Sequence, residues 1–369
     1  MNSDFTCGFI GLGLIGGSIA RAIRQFYPKS RLMAFEINQD SLSAAADDGV
    51  IDTPLSAIGK ELSDCDYIFL CAPVAENNRN LAELKKCLAP SCILTDVGST
   101  KSDIHKHIEA AGLSDRFIGG HPMAGSERCG YINSRALLLQ NAYYILTPCE
   151  GVPAAAVNAF KELIASLGAI PLILDFKMHD YVTAAISHLP HVIAASLVNL
   201  IKQEDSPEGI MKMIAAGGFK DITRIASSSP AMWQQICLTN SKNISSLLNA
   251  YISSLMRIQK EIENAQPENL YAFFDEARAY RDSFIEASSG PIKKVFSIRV
   301  DITDEPGALA AVATILALQQ ISIKNIGIIH NREFQEGVLH IEFYEENALE
   351  KALVLLRNTI IQYTRGERH

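Results

Sequence analysis

Residues 7 to 26 leave this chain few folds to choose from. Cys7 to Ile10 is a short apolar run of strand character, Gly11-Leu12-Gly13-Leu14-Ile15-Gly16 follows at once, and Gly17 to Phe26 has helical composition. A GxGxxG placed between strand and helix is the fingerprint of a Rossmann-like, doubly wound α/β sheet that binds a dinucleotide. Gly11 makes the tight turn, Gly13 lets the backbone approach a pyrophosphate, and Gly16 lets the helix pack. The N–H groups of the helix start, at Leu14 and Ile15, are then available to the phosphates. Glycines alone would mark only turns; the flanking elements give them this meaning.

The next strand, Arg31 to Phe35, ends at Glu36, twenty positions after Gly16, where such a fold places an acid for the ribose 2′-hydroxyl. A carboxylate there repels a 2′-phosphate and no Arg follows immediately, so NAD is expected rather than NADP. The competing reading is a solvent-facing Glu at a strand end. Tyr67 to Cys71 runs into Ala72-Pro73, and Cys92 to Thr95 into Asp96-Val97-Gly98-Ser99-Thr100-Lys101. Near-continuous apolar strands alternating with helical segments predict a parallel sheet covered on both faces. Ligands of such sheets lie beyond the carboxyl ends of the strands. Ala72, Pro73, Ser99 and His121 should therefore share one crevice. His121 stands in Gly119-Gly120-His121-Pro122-Met123-Ala124-Gly125-Ser126-Glu127, which reads as a polar turn and makes His121 the candidate base of a redox enzyme. Ser99 is equally readable as the N-cap of a helix from Lys101, and His105 and His107 read as surface residues of that helix. The domain closes near Asp175.

Composition narrows the partners. The chain has 369 residues, 48% of them hydrophobic and 20% charged, with a formal charge of −8 and no basic stripe, so no nucleic-acid partner is expected. The eight cysteines form no CxxC pair and read as buried thiols of a reducing compartment, with no metal site. The N-terminus lacks the basic start of a signal peptide, which points to a cytoplasmic protein. Ala184 to Ile201 is strongly apolar but interrupted by Ser187, His188, Pro190, His191 and Asn199. That pattern favours a core or a subunit interface over a membrane.

From Met178 to Ala287 only helical patterns occur. Ser187 and His191, four apart, share a helix face, and His191 is the better functional candidate of the pair His188 and His191. Arg224, beside Gly217-Gly218 and the sole tryptophan Trp233, offers a fork for a carboxylate, although Asp221 three residues away is an alternative partner. After the linker-like Ser288-Ser289-Gly290-Pro291, strand and helix patterns alternate as βαββαβ, a ferredoxin-like unit. The expected division is 1–175, 176–289 and 290–369.

The motifs GFIGLGLIGGS, DVGSTK, GGHPMAGSE, SHLPH, GGFKDITRIASSSPAMW and DEPGAL, in this order, resemble those of prephenate dehydrogenases with a C-terminal ACT regulatory domain, over nearly the whole chain. Thr100 departs from the valine common in the second motif and leaves Ser99 and Lys101 in place. The resemblance implies oxidative decarboxylation of prephenate to 4-hydroxyphenylpyruvate with NAD as hydride acceptor. By motif, it makes His121 the base oriented by Ser99, and gives Arg224 the side-chain carboxylate of the substrate. His191, Ser187 and Ser126 would line the pocket; Glu127, Gly217, Asp221 and Trp233 would shape its entrance, in a homodimer. Lys220, Arg128 and Lys101 are weaker cations for the substrate. The tail implies tyrosine as effector at Asp304, Pro306, Gly307, Ala308, Leu309 and Asn325. Rival readings are an arogenate or dual-specificity cyclohexadienyl dehydrogenase, a β-hydroxyacid dehydrogenase, and a catalytically silent sensor of NAD and amino acids.

Overall fold

The computed structural model describes residues 4–125, 128–286, 296–303, 307–330, 336–357 and 363–365. Ser126, Glu127, Asp304 and Pro306 lie outside the described residues, as does the linker-like stretch 288–291. Contacts group the chain into two compact units, Met1–Ala265 and Gln266–His369.

The first unit begins with β1 (Thr6–Ile10), α1 (Leu14–Phe26), β2 (Arg31–Phe35), α2 (Gln39–Asp47), β3 (Thr53–Leu55), β4 (Tyr67–Leu70), α3 (Val74–Cys87), β5 (Ile93–Asp96) and α4 (Ser102–Ala111). Then come β6 (Phe117–Pro122), β7 (Tyr143–Pro148), α5 (Ala154–Ser166) and β8 (Ile170–Ile173). The sheet order is β3-β2-β1-β4-β5-β6-β7-β8, the doubly wound arrangement expected from the glycine motif. Parallel pairing holds from β3 to β6, but β7 pairs antiparallel with β6 and β8 runs with β7, so the sheet is mixed rather than wholly parallel. The strands are apolar because both faces are covered. Phe9 and Phe69 stack at 5.2 Å with Phe160 of α5 6.0 Å from Phe69, all fully buried, each contributing about 1.5–3 kcal/mol of burial.

The segment around His121 is not the turn expected from its glycines and proline. Gly119 to Pro122 continue β6, paired as Gly119↔Thr147, Gly120↔Leu146, His121↔Ile145 and Pro122↔Tyr144. The glycines serve close packing: a Cβ on Gly120 would lie 2.5 Å from the Asp96 carbonyl oxygen, and one on Gly119 would lie 2.3 Å from Thr147 Oγ1. His121 is therefore held on a strand, a stiffer support than a loop.

Helices complete this unit, as the second segment's composition predicted: α6 (Phe176–Thr183), α7 (Leu189–Glu204), α8 (Ile210–Ile214), α9 (Gly217–Thr223), α10 (Pro230–Thr239) and α11 (Ser241–Glu263). Between α6 and α7 the residues Ala184–His188 form a π turn. Pro190 has no N–H for the carbonyl four residues back, which accounts for the widened turn, and such turns often carry functional side chains. Phe176–Glu204 is long and apolar enough to cross a bilayer by length and composition. Among the described residues only 17% of its most apolar window is buried.

The second unit holds α12 (Pro267–Glu286), β9 (Phe296–Thr303), α13 (Ala308–Leu318), β10 (Ile323–His330), β11 (Glu336–Phe343), α14 (Glu346–Arg357) and β12 (Tyr363–Arg365). Its antiparallel order β10-β11-β9-β12 is that of a ferredoxin-like βαββαβ unit, as the alternating patterns of the tail predicted. Ile298, Val300, Leu339, Ile341 and Phe343 of the sheet pack on Val312 and Leu316 of α13 and Leu356 of α14.

Candidate active site

The cradle at the first βα turn fits a dinucleotide. Gly11 has φ +99°, a conformation that favours glycine, and its Cβ would lie 2.8 Å from the Ala72 amide. A Cβ on Gly13 would meet nothing within 4 Å, so the space in front of it is open. Gly13 caps α1 without a side-chain bond and the first turn holds no acidic residue, so its N–H groups face that space uncompensated. Glu36 reaches the cradle, accepting from the Leu12 amide at 2.6 Å and the Asn38 amide at 2.8 Å. Its carboxylate stands beside the phosphate loop rather than in open solvent. Ala72 and Pro73 close the other side at the end of β4, where Asn77 donates to the Ala72 carbonyl at 2.9 Å.

Beyond the ends of β5 and β6 lies a cavity of about 320 Å³ lined by Ser99, His121, Ser187, His188, His191 and Trp233, with Met123, Ile225, Met232 and Ile236 among its apolar members. His121 is buried, and burial first, then the neighbouring His179, holds it well below the ordinary imidazole range. It is neutral at physiological pH and able to take a proton. His191 donates from Nδ1 to the Ser187 carbonyl at 2.9 Å and stacks on Trp233 at 3.7 Å between ring centroids. His188 is buried, 3.2 Å from the Asn240 amide nitrogen, and burial lowers it to about 4. Arg224 is exposed and opens the turn Arg224–Ser227; Ile225 of that turn and Ser228 just after it line the cavity, which Arg224 itself does not, and its charge lowers the His191 ring further after burial. Gly217 and Asp221 are exposed on α9 and do not line this cavity.

Two residues not read from the sequence complete the site. His121 Nδ1 is 2.8 Å from His179 Nε2, and His179 Nδ1 is 2.9 Å from Asp180 Oδ1. His179 thus meets Nδ1 of His121, while Ser99 shares the cavity with the ring. Ser99 is not the cap of α4. The Asp180 carboxylate, from α6, accepts from the Lys101 and Ser102 amides at 2.7 and 2.8 Å. Burial pushes the Asp180 carboxyl up, but bonds from His179, Ser102 and Lys101 outweigh it and leave it below the usual carboxylate value.

Lys101 is fully buried, paired with Asp96 and donating to the Gly120 carbonyl at 2.7 Å, so it secures β6 and is not a cation for a substrate. His105 is likewise not a surface residue. It lies stacked on Phe176 at 4.5 Å, with Thr147 and Cys149 at its two nitrogens, and burial lowers it to about 4. His107 is exposed as expected, whereas Cys129, read as a buried thiol, is exposed. The HD pair after the capping Asp175 was the only sequence signal for His179 and Asp180.

Comparison with known proteins decides the family. Residues 19–171 match the prephenate dehydrogenase nucleotide-binding domain, and residues 175–276 match the prephenate dehydrogenase dimerization domain. A prephenate dehydrogenase of Bacillus subtilis is 38% identical over 344 residues, 93% of each chain. The chain belongs to the prephenate dehydrogenase family. It is accordingly an NAD-dependent dehydrogenase. A cyclohexadienyl dehydrogenase of Zymomonas mobilis is 30% identical over 274 residues, 74% of this chain and 93% of its own. Among solved structures, prephenate dehydrogenase from Aquifex aeolicus in complex with hydroxyphenyl propionate and NAD+ has a TM-score of 0.72 at 31% identity, over 76% of this chain and 98% of that one.

Proposed function

We propose that this member of the family oxidises prephenate to 4-hydroxyphenylpyruvate, carbon dioxide and NADH. The observation that carries the reading is a neutral, buried His121 on a strand end, in one cavity with Ser99, Ser187 and His191, beside a cradle that fits NAD. The similar Aquifex protein holds a phenol bearing a carboxylate chain together with NAD+, the ligand chemistry this reading requires.

NAD supplies a hydride acceptor when bound. Glu36, Gly11, Gly13 and the first amides of α1 would hold it. The chain's own residues do the rest. His121 takes the proton of the ring hydroxyl as hydride departs from the same carbon. The ring carboxylate leaves as carbon dioxide, and its bonding pair makes the ring aromatic. Since aromatisation drives the reaction, the protein's task is alignment. Arg224 and His191 bind the substrate's carboxylates, with Ser187 and Ser99 as hydroxyl partners and Trp233 as the wall behind His191. Ser126 would line the pocket, and Glu127, Gly217 and Asp221 would shape its entrance.

Turnover of prephenate, followed as NADH formation and compared with arogenate, tests the reading. Equal or greater turnover of arogenate would favour the dual-specificity alternative, which the Zymomonas relative supports by its name.

The same proposal extends to organisation. The chain would work as an NAD domain (1–175), a helical domain (176–289) and a regulatory domain (290–369), dimerising through the helices. Exposed Ile186 (65%), Leu238 (71%) and Met213 (74%) in the segment matching the dimerization domain support a homodimer. Tyrosine would bind at the strand-turn-helix carrying Asp304, Pro306, Gly307, Ala308 and Leu309, and at Asn325 of β10. Gly307 there has φ +99° and opens α13. Calorimetry and kinetics showing neither tyrosine binding nor inhibition would end that part of the proposal.

A further inference from the structure

The bonds behind His121 determine which of its nitrogens is the base. Both oxygens of Asp180 accept from main-chain N–H groups, at 2.7 Å from Lys101 and 2.8 Å from Ser102. A main-chain N–H can only donate, so these bonds favour the ionised carboxylate. His179 Nδ1, 2.9 Å from Oδ1, must then carry a hydrogen. Burial keeps His179 neutral at physiological pH, so its Nε2 holds a lone pair. His121 Nδ1, 2.8 Å from that lone pair, is left only the donor role.

We propose that His179 and Asp180 are positioning residues that hold His121 in the tautomer protonated at Nδ1, leaving Nε2 as the atom that accepts the substrate's proton. The last clause rests on the dehydrogenase reading above; the tautomer itself does not. When Nε2 gains the proton, the ring carries a positive charge and its Nδ1–H faces the His179 lone pair, whose ring is anchored on ionised Asp180. His179 and Asp180 are both fully buried, where such a bond is not weakened by water. The relay is braced at both ends. Asn240 donates to the Asp180 carbonyl at 2.7 Å, and Lys101, whose amide caps Asp180, grips the carbonyl of Gly120 next to His121 with its ammonium.

Asp180→Asn tests the anchor of the relay. The amide keeps the size of the carboxylate but removes its charge and turns an N–H toward either the Ser102 amide or His179 Nδ1, so the ionised group that fixes both tautomers is lost. We expect kcat to fall on the order of 10²- to 10⁴-fold, the range of a lost general base or a reversed tautomer, with KM for NAD and prephenate within about threefold of wild type. A kcat within about threefold of wild type would overturn the proposal, as would a KM for NAD rising in step with the loss of kcat, the mark of a merely structural role. His179→Gln presents a carbonyl oxygen to His121, and His179→Leu presents nothing. The glutamine variant should retain at least about tenfold more kcat, the worth of one hydrogen bond to a charged ring; equal rates count against the relay. Nitrogen-15 spectra of histidine-labelled wild type read the tautomer without any substrate. Protonated Nδ1 on His121 is expected, and protonated Nε2 would refute it. If the wild type turned over neither prephenate nor arogenate, the dehydrogenase reading would fail while these spectra still decided the tautomer.

Discussion

The phosphate cradle and the His121 cavity lie at carboxyl ends of the same sheet, but they are built from different material. The cradle is almost entirely main chain: three glycines, one helix N-terminus and a single carboxylate, all between residues 11 and 36. The cavity is built from side chains of β6, the β5–α4 connection, the π turn, α7, the turn Arg224–Ser227 and α10, spread from Ser99 to Ile236. Main-chain sites need space and the right backbone conformation, and they fail when a Cβ intrudes. Side-chain sites need each group held in one rotamer and one protonation state, and they fail when a supporting partner is lost.

Substitutions on each side of the comparison, and a change of pH, would break or sharpen that contrast. His121→Asn removes the base while leaving the strand, and should lower kcat about 10²- to 10⁴-fold in steady-state assays with binding retained; near-normal turnover would assign the base elsewhere. Arg224→Ala should chiefly raise KM for prephenate, about 10- to 100-fold, the worth of one charge-assisted hydrogen bond of about 1.5–3 kcal/mol. An unchanged KM would move the carboxylate contact to another residue.

On the cradle side the effect should be smaller and confined to the cofactor. Gly13→Ala adds a methyl where nothing lies within 4 Å, so thermal stability should stay within about 0.5 kcal/mol while NAD affinity drops about tenfold. Gly16→Ala is the contrasting case: its methyl would lie 2.6 Å from the Gly11 carbonyl oxygen, so Tm should fall together with NAD affinity. If the two variants behaved alike, the cradle would not be the main-chain site described here.

A last effect, on stability rather than on turnover, concerns acid. His105 and His188 are both lowered to about 4 in the folded protein from an ordinary value near 6.5. The unfolded chain binds their protons first, so their contribution to stability is complete above about pH 6.5 and is lost as pH falls toward 4. Thermal melts should show Tm falling across that window, and His105→Gln should flatten part of the fall. A Tm flat between those limits would mean the two rings are not buried neutral.

Much of the fold was legible because strands and helices follow local patterning. The continuous apolar strands, the glycine turn, the helical stretch after Asp175 and the βαββαβ tail all stand where their composition placed them. What misled was local chemistry with a remote cause. The glycines of the His121 segment read as a turn because a single chain segment does not reveal that Asp96 and Thr147 press against them. His105 read as a surface residue because its helix is polar, yet Phe117, Thr147, Cys149 and Phe176 enclose it. Ser99 read as a cap because caps are normally local, whereas the α4 amides are met by Asp180, about eighty residues on.

The sequence by itself determined the dinucleotide fold, the acid that meets the cradle and the presence of a histidine able to act as base, since each depends on residues close in the chain. Only the tertiary structure decided how that histidine is supported. The partner of its Nδ1 and the carboxylate behind that partner come from α6, the cap they provide belongs to α4, and the cavity they face is closed by α7 and α10. A side chain's protonation state and orientation depend on which atoms lie within about 3 Å of it, and sequence distance carries no information about that.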